Sequence, residues 1–143
     1  PMIIKISTTK AGTKITQPVS LIDLFPTLTD LCGLKGSHKK NENAGDLGGF
    51  SLTPFLNGEP EQWKGPNGAL TVVGNFGIKI PKEKQNFSYR TPNWRYIRYG
   101  NGQEELYNHV TDGHEWHNVA NDPSFANIKN KLVEEMNAII YQK

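Results

Sequence analysis

Tyr89-Arg-Thr-Pro-Asn-Trp-Arg-Tyr-Ile-Arg-Tyr99, then Gly100-Asn-Gly102, then Glu104-Glu-Leu-Tyr-Asn108 is the stretch from which the fold is read. Aromatic and β-branched residues flank a Gly-Asn-Gly turn, which is the pattern of two antiparallel strands joined as a hairpin. Downstream, Asp122 caps a helix with Pro123 at its first position, and Phe125, Ile128, Leu132, Met136, Ile139 and Ile140 form one apolar stripe along it. Upstream, residues 69–73 form a further strand candidate and residues 74–85 a lysine-bearing loop that includes Pro81. The second half of the chain therefore reads as a small antiparallel sheet with one amphipathic helix laid on it.

The first half obeys a different pattern. Pro1-Met-Ile-Ile-Lys-Ile-Ser7 is an almost continuous apolar run, the signature of a strand buried on both faces. Such a strand needs a neighbour on each side, and the later strand candidates alternate, so its partners are expected outside this chain. Ser20 and Asp23 stand at capping-box spacing, and Leu21, Leu24, Phe25, Leu28, Leu31 and Cys32 recur at helical intervals up to Gly33. Pro26 falls inside this pattern and predicts a break after Phe25, with the helix restarting at the proline. Residues 35–49 are glycine-rich and nearly devoid of apolar side chains, which marks a loop. Residues 50–58 predict a short helix capped by Ser51 or Thr53 and ended by Gly58. The single shift in composition places a boundary between residues 1–48, the piece of a larger α/β domain, and residues 49–143, an α+β subdomain.

A length of 143 residues leaves room for one ordinary domain. With 36% hydrophobic residues the chain can build only a modest core. Sixteen Lys and Arg against fourteen Asp and Glu give a formal charge of +2, so no broad basic footprint points to nucleic acid. No apolar run approaches the roughly 18 residues of a membrane span. The single Cys32 has no partner for an internal disulfide.

Chemistry is sparse. His109, Asp112, His114, Glu115 and His117 are the densest group of possible zinc ligands, but His114-Glu-Trp-His117 is one residue short of the spacing that puts two histidines on one helix face. Thr111-Asp-Gly113 favours a turn there, and solvated turn residues are the plainer reading. Cys32 lies on the apolar stripe and reads as a buried, inert thiol. No nucleophile elbow, P-loop or dinucleotide fingerprint occurs. Lys79, Lys82 and Lys84, with Arg90, Arg95 and Arg98 nearby, suit either an anionic ligand or a solvated basic face. Trp94, Tyr96, Tyr99, Tyr107 and Trp116 read as packing residues, and Asn86-Phe-Ser88 fits a glycosylation sequon.

Five ordered blocks, at residues 1–6, 18–33, 49–58, 90–99 and 105–120, resemble the C-terminal third of sulfatases, in the branch of the iduronate-2-sulfatases and choline-sulfatases. The resemblance implies the end of an alkaline-phosphatase-like sulfatase domain, with residues 1–7 as a late strand of its sheet. A small antiparallel sheet packed by a C-terminal helix, from about residue 66, would follow. It implies that the intact protein hydrolyses sulfate esters with a formylglycine, made from a Cys or Ser in C/S-x-P-x-R, beside a calcium ion. Neither that motif nor the calcium ligands occur here, since Cys32-Gly-Leu-Lys-Gly36 does not match. The catalytic part would be the partner of this chain, a sulfated small molecule or sugar its substrate, and a periplasmic or extracellular setting its compartment. Relatives commonly read N-H-x-V-R-T where this chain has Asn86-Phe-Ser-Tyr-Arg-Thr91, a segment that approaches the active site. The resemblance thus makes Lys79, Lys82, Lys84, Asn86, Phe87 and Arg90 candidate substrate-binding residues. A stand-alone binding module derived from the same subdomain is the competing expectation; an unpaired apolar surface on residues 1–33 would argue against it.

Overall fold

The structure, a computed structural model, describes residues 2–7, 12–36, 41–43, 48–74 and 79–141. They fall into two compact units, residues 1–65 and residues 66–143. Parts of the loops expected at 35–49 and 74–85 lie outside the described residues.

In the first unit, residues 2–6 adopt no strand, and Ile3 is 94% exposed. The run predicted to be a doubly buried strand has no ladder to join among the described residues. A short 3-10 turn at Leu21–Asp23 leads directly into α1, Leu24–Leu31. The predicted break after Phe25 is absent. Pro26 sits in the first turn of α1, where a backbone N–H has no intrahelical acceptor to lose. The change of winding falls instead at Asp23, whose carboxylate accepts from Ser20 N at 2.7 Å.

Burial of α1 is inverted relative to its apolar stripe. Asp23, Thr27 and Thr29 are buried, whereas Leu21, Ile22, Phe25, Leu28, Leu31 and Leu34 are exposed. Cys32 is exposed as well, which corrects the expectation of a buried thiol. The polar side faces residues 49–57. Asp23 Oδ1 accepts from Phe50 N at 2.8 Å, and Thr27 Oγ1 accepts from Leu52 N at 2.9 Å while donating to the Asp23 carbonyl at 2.5 Å. A Cβ on Gly49 would come within 2.3 Å of the Ile22 carbonyl oxygen, so this approach requires glycine. Then follows α2, Thr53–Asn57, ended by Gly58 in the left-handed region at φ 78°. Leu52 and Phe55 are buried, and the Trp63 ring lies 5.0 Å from that of Phe55 and 5.8 Å from that of Phe50. Residues 49–65 thus pack with α1, although the composition shift assigned them to the second half.

The second unit is a four-stranded antiparallel meander, β1-β2-β3-β4, formed by Ala69–Val73, Asn86–Arg90, Trp94–Arg98 and Glu104–Asn108. The stretch 89–99 is two strands rather than one. Thr91-Pro-Asn93 turns the chain, with Thr91 N donating to Trp94 O at 2.9 Å and Trp94 N to Thr91 Oγ1 at 3.2 Å. The Gly100-Asn-Gly102 hairpin forms as predicted, closed by Tyr99 N to Gln103 O at 2.9 Å, with Gly102 at φ 88°.

Register places Leu70, Tyr89, Tyr96 and Leu106 in one row and Val72, Phe87, Arg98 and Glu104 in the next, on the same face. Onto this face packs α3, Ala126–Ile140, entered through a 3-10 turn that Asp122 caps by accepting from Ser124 N at 2.9 Å. Leu132, Met136 and Ile140 are buried against Phe87, Tyr89, Tyr96, Leu106 and Ala120, with Phe125, Ile128 and Ile139 at the margin. Two buried phenols reach carboxylates at the rim of this core: Tyr89 donates to Glu135 at 3.0 Å, and Tyr96 donates to Glu104. Burial first, and then the carboxylate beside each, pushes both phenols well above their ordinary range.

Candidate functional site

The six residues expected to line a substrate pocket go to different places. Phe87 is a core residue of β2, with the Arg98 guanidinium 5.1 Å from its ring centroid. Asn86 turns to the opposite face and accepts from Gly100 N at 2.9 Å, tying β2 to the hairpin. Its Oδ1 is thereby engaged within the sequon. Arg90 donates to the carbonyls of Thr91 and Trp94. Lys82 donates to the Ile140 carbonyl at 2.6 Å and stands over the Tyr141 ring, which closes the end of α3. Only Lys79 and Lys84 project as exposed cations without such a bond among those described. Asn86 and Lys82 thus tie this segment to the β3–β4 hairpin and to the end of α3. Period-two alternation, applied from Tyr89 backwards, already assigns Phe87 to the core.

The outer face of the sheet carries the polar groups. Arg90 and Arg95 are cross-strand partners, and Glu115 stands at 3.0 Å from Arg95 Nε and 2.5 Å from His109 Nε2. The Arg95 Nε–H does not aim at the carboxylate, so that contact is an ion pair rather than a hydrogen bond. Burial, and then the charge of Arg95, lowers the Arg90 guanidinium from its ordinary value. Beside it, Tyr99 and Tyr107 both donate to Glu105, at 3.1 and 3.0 Å. Burial, followed by that carboxylate, pushes the Tyr107 phenol up to about 12.

The turn after β4 is fixed by Asp112. Its carboxylate accepts from Trp116 N at 3.1 Å and His117 N at 2.9 Å, and these bonds, His117's first, hold it below its ordinary value. Glu115 is the one non-glycine residue with positive φ, at 59°, among the described residues. Asn118 completes the turn by accepting from Leu106 N and Ala120 N and donating to the Glu104 carbonyl. The three histidines considered as zinc ligands do not converge. His109 pairs with Glu115, His114 stacks on Trp116, and His117 lies 3.9 Å from Asp112. Trp116, expected to pack, is 77% exposed. Its position one residue past the polar Asp-Gly-His-Glu run was the signal that it faces solvent.

No group of three or more His, Cys, Asp or Glu side chains able to hold a metal exists among the described residues. The calcium implied by the sequence resemblance thus finds no ligand set among the described residues, and residues 1–143 hold no C/S-x-P-x-R motif for a formylglycine. No helix among the described residues is long and apolar enough to cross a membrane.

A four-stranded antiparallel meander covered by a C-terminal helix is the architecture of a sulfatase C-terminal fold. Residues 1–142 match the family described as N-sulphoglucosamine sulphohydrolase, C-terminal, and the chain belongs to that family. A curated sulfatase of Formosa agariphila is 31% identical over 114 residues, 80% of this chain and 19% of its own length. Arylsulfatase K of Danio rerio is 28% identical over 123 residues, 84% of this chain and 22% of its own. The chain spans about a fifth to a quarter of the curated relatives it matches.

Among solved structures, BT4656 in complex with its substrate D-glucosamine-2-N,6-O-disulfate superposes with a TM-score of 0.63 at 22% identity, covering 82% of this chain and 23% of that one. The phosphonate monoester hydrolase of Agrobacterium radiobacter gives 0.62 at 25% identity, covering 82% and 24%. The sulfatase C-terminal fold expected from the sequence is present, and the chain is homologous to the corresponding part of sulfatases.

Proposed function

We propose that this chain is the C-terminal part of a sulfuric ester hydrolase that acts on sulfated carbohydrate, packing on the catalytic part of the protein. The observation that carries the reading is the family match across residues 1–142. The inverted burial around α1 supports it: Asp23 and Thr27 are buried and bonded to the backbone of Phe50 and Leu52, while Leu21, Ile22, Phe25, Leu28, Leu31 and Leu34 are exposed. A free-standing module has no reason to leave such a surface uncovered. The catalytic part would contribute formylglycine and calcium, and the five sequence blocks support the iduronate-2-sulfatase and choline-sulfatase branch. One structural neighbour was solved with its substrate, a glucosamine disulfate, which supports an anionic sugar here.

Within the proposed pocket wall, Lys79 and Lys84 are the side chains left to meet such an anion. The test uses the full protein. Sulfate release from N- and O-sulfated glucosamine is expected to exceed turnover of an aryl phosphonate, and Lys79→Ala with Lys84→Ala is expected to raise KM for the sulfated sugar. Hydrolysis of the phosphonate alone would overturn the sulfatase reading. An unchanged KM would remove the two lysines from it.

A further inference from the structure

Trp116 is the observation that the fold leaves unexplained. The turn that carries it is held in one conformation from both sides: Asp112 binds the N–H groups of Trp116 and His117, Glu115 is clamped by Arg95 and His109, and Asn118 is bonded into β4. Glu115 sits in a backbone region that costs a non-glycine residue free energy, so the surroundings impose the shape. At the crest of this turn stands an indole that is 77% exposed. The imidazole of His114 lies stacked with it, ring centroids 5.0 Å apart at 21° between planes. The result is an exposed indole–imidazole stack carried on a bonded turn, with the side chain of the next residue, His117, 79% exposed.

We propose that Trp116, with His114 stacked on it, is a platform for a pyranose ring of a polysaccharide chain. One face of such a ring presents C–H groups of partial positive charge, which are drawn to the negative face of the indole. Its hydroxyls project sideways, where the imidazole N–H groups of His114 and His117 can meet them. A protein partner would instead cover the indole, which acrylamide quenching reads. Because the turn is already rigid, little ordering is left for binding to oppose.

The inference rests on the carbohydrate reading of the proposed function, and the test separates the two. The full protein, wild type and with Trp116→Ala or Trp116→Phe, is run by affinity electrophoresis through gels containing chemically desulfated heparan sulfate, a polymer that offers no sulfate ester to hydrolyse. Trp116→Ala is expected to weaken retardation about tenfold, the scale of one lost aromatic contact. Trp116→Phe should keep most of it, and melting temperatures should match. Equal retardation of the Ala variant and wild type overturns the platform. So does a Trp116 emission, taken as the difference between the full protein and its Trp116→Phe variant, that resists acrylamide quenching, because another part of the protein would then cover it. Failure of wild type to release sulfate from any sulfated sugar strikes the sulfatase reading and leaves the gel result standing.

Discussion

Asp23 offers the sharpest quantitative test of how the first unit is built. One buried carboxylate accepts two backbone N–H groups from separate segments, Ser20 N at 2.7 Å and Phe50 N, 27 residues beyond Asp23, at 2.8 Å. A hydrogen bond to a charged group contributes about 1.5–3 kcal/mol, and a buried donor left without its acceptor loses a similar amount. Asp23→Asn keeps the shape but turns an NH2 group toward one of two donors, so one bond is lost. Asp23→Ala removes both, for about 3–6 kcal/mol if the terms add. Read locally, the Asn variant should raise the exchange rate of the Phe50 and Leu52 amides by roughly 10- to 150-fold. Hydrogen exchange followed by mass spectrometry on the peptide covering residues 49–57 measures this directly, with the second unit as internal control. Unchanged exchange at 49–57 in Asp23→Ala would refute the argument that these residues are tied to α1 by the carboxylate.

Other perturbations probe the second unit. Met136 is fully buried beneath the sheet, so Met136→Ala should cost about 2–5 kcal/mol in a denaturant titration. A Cβ at Gly100 would fall 2.2 Å from the Lys84 carbonyl oxygen, so Gly100→Ala should destabilise by about 1–3 kcal/mol and shift amide signals of the 82–84 turn. Asp112 is held below its ordinary value of 3.8 by backbone N–H groups. The stability it contributes is therefore complete above that value and is lost as pH falls through the lower folded one. Asp112→Asn should flatten this acid limb in thermal melts across pH, and an unaltered limb would assign it to other carboxylates.

The meander and α3 were legible because both their periods and their partners lie within 75 residues of one another. The strand aromatics marked Tyr96 as packing, the apolar stripe marked Leu132 and Met136, and Gly100-Asn-Gly102 marked the hairpin. Thr91-Pro-Asn93 carried an equally good turn signal, but the aromatic residues on either side of it invited one long strand. The first unit was harder, since a pattern says which face is apolar and not whether its partner belongs to the same chain. Thus residues 2–6 read as a strand and find no ladder, and the leucines of α1 read as core and face solvent. What the stripe concealed was the alternative use of Asp23 and Thr27 as acceptors for a distant backbone, a pairing with no periodicity. The candidate site suffered from adjacency: Asn86, Phe87 and Arg90 are close in sequence, yet strand geometry sends Phe87 to the face opposite Asn86 and Arg90.

The two borders of the meander are finished differently. Along β4, the amide of Asn118 and the N–H of Val119 take up main-chain groups of Glu104 and Leu106, so that border is plugged by its own polypeptide. β1 is the opposite border, pairs only with β2 among the described residues, and exposes Val72 and Val73. Unsatisfied main-chain groups beside exposed valines are a template for another strand. Self-association of the second unit in isolation would therefore begin at β1, and a lysine at Val73 is the economical way to keep it monomeric.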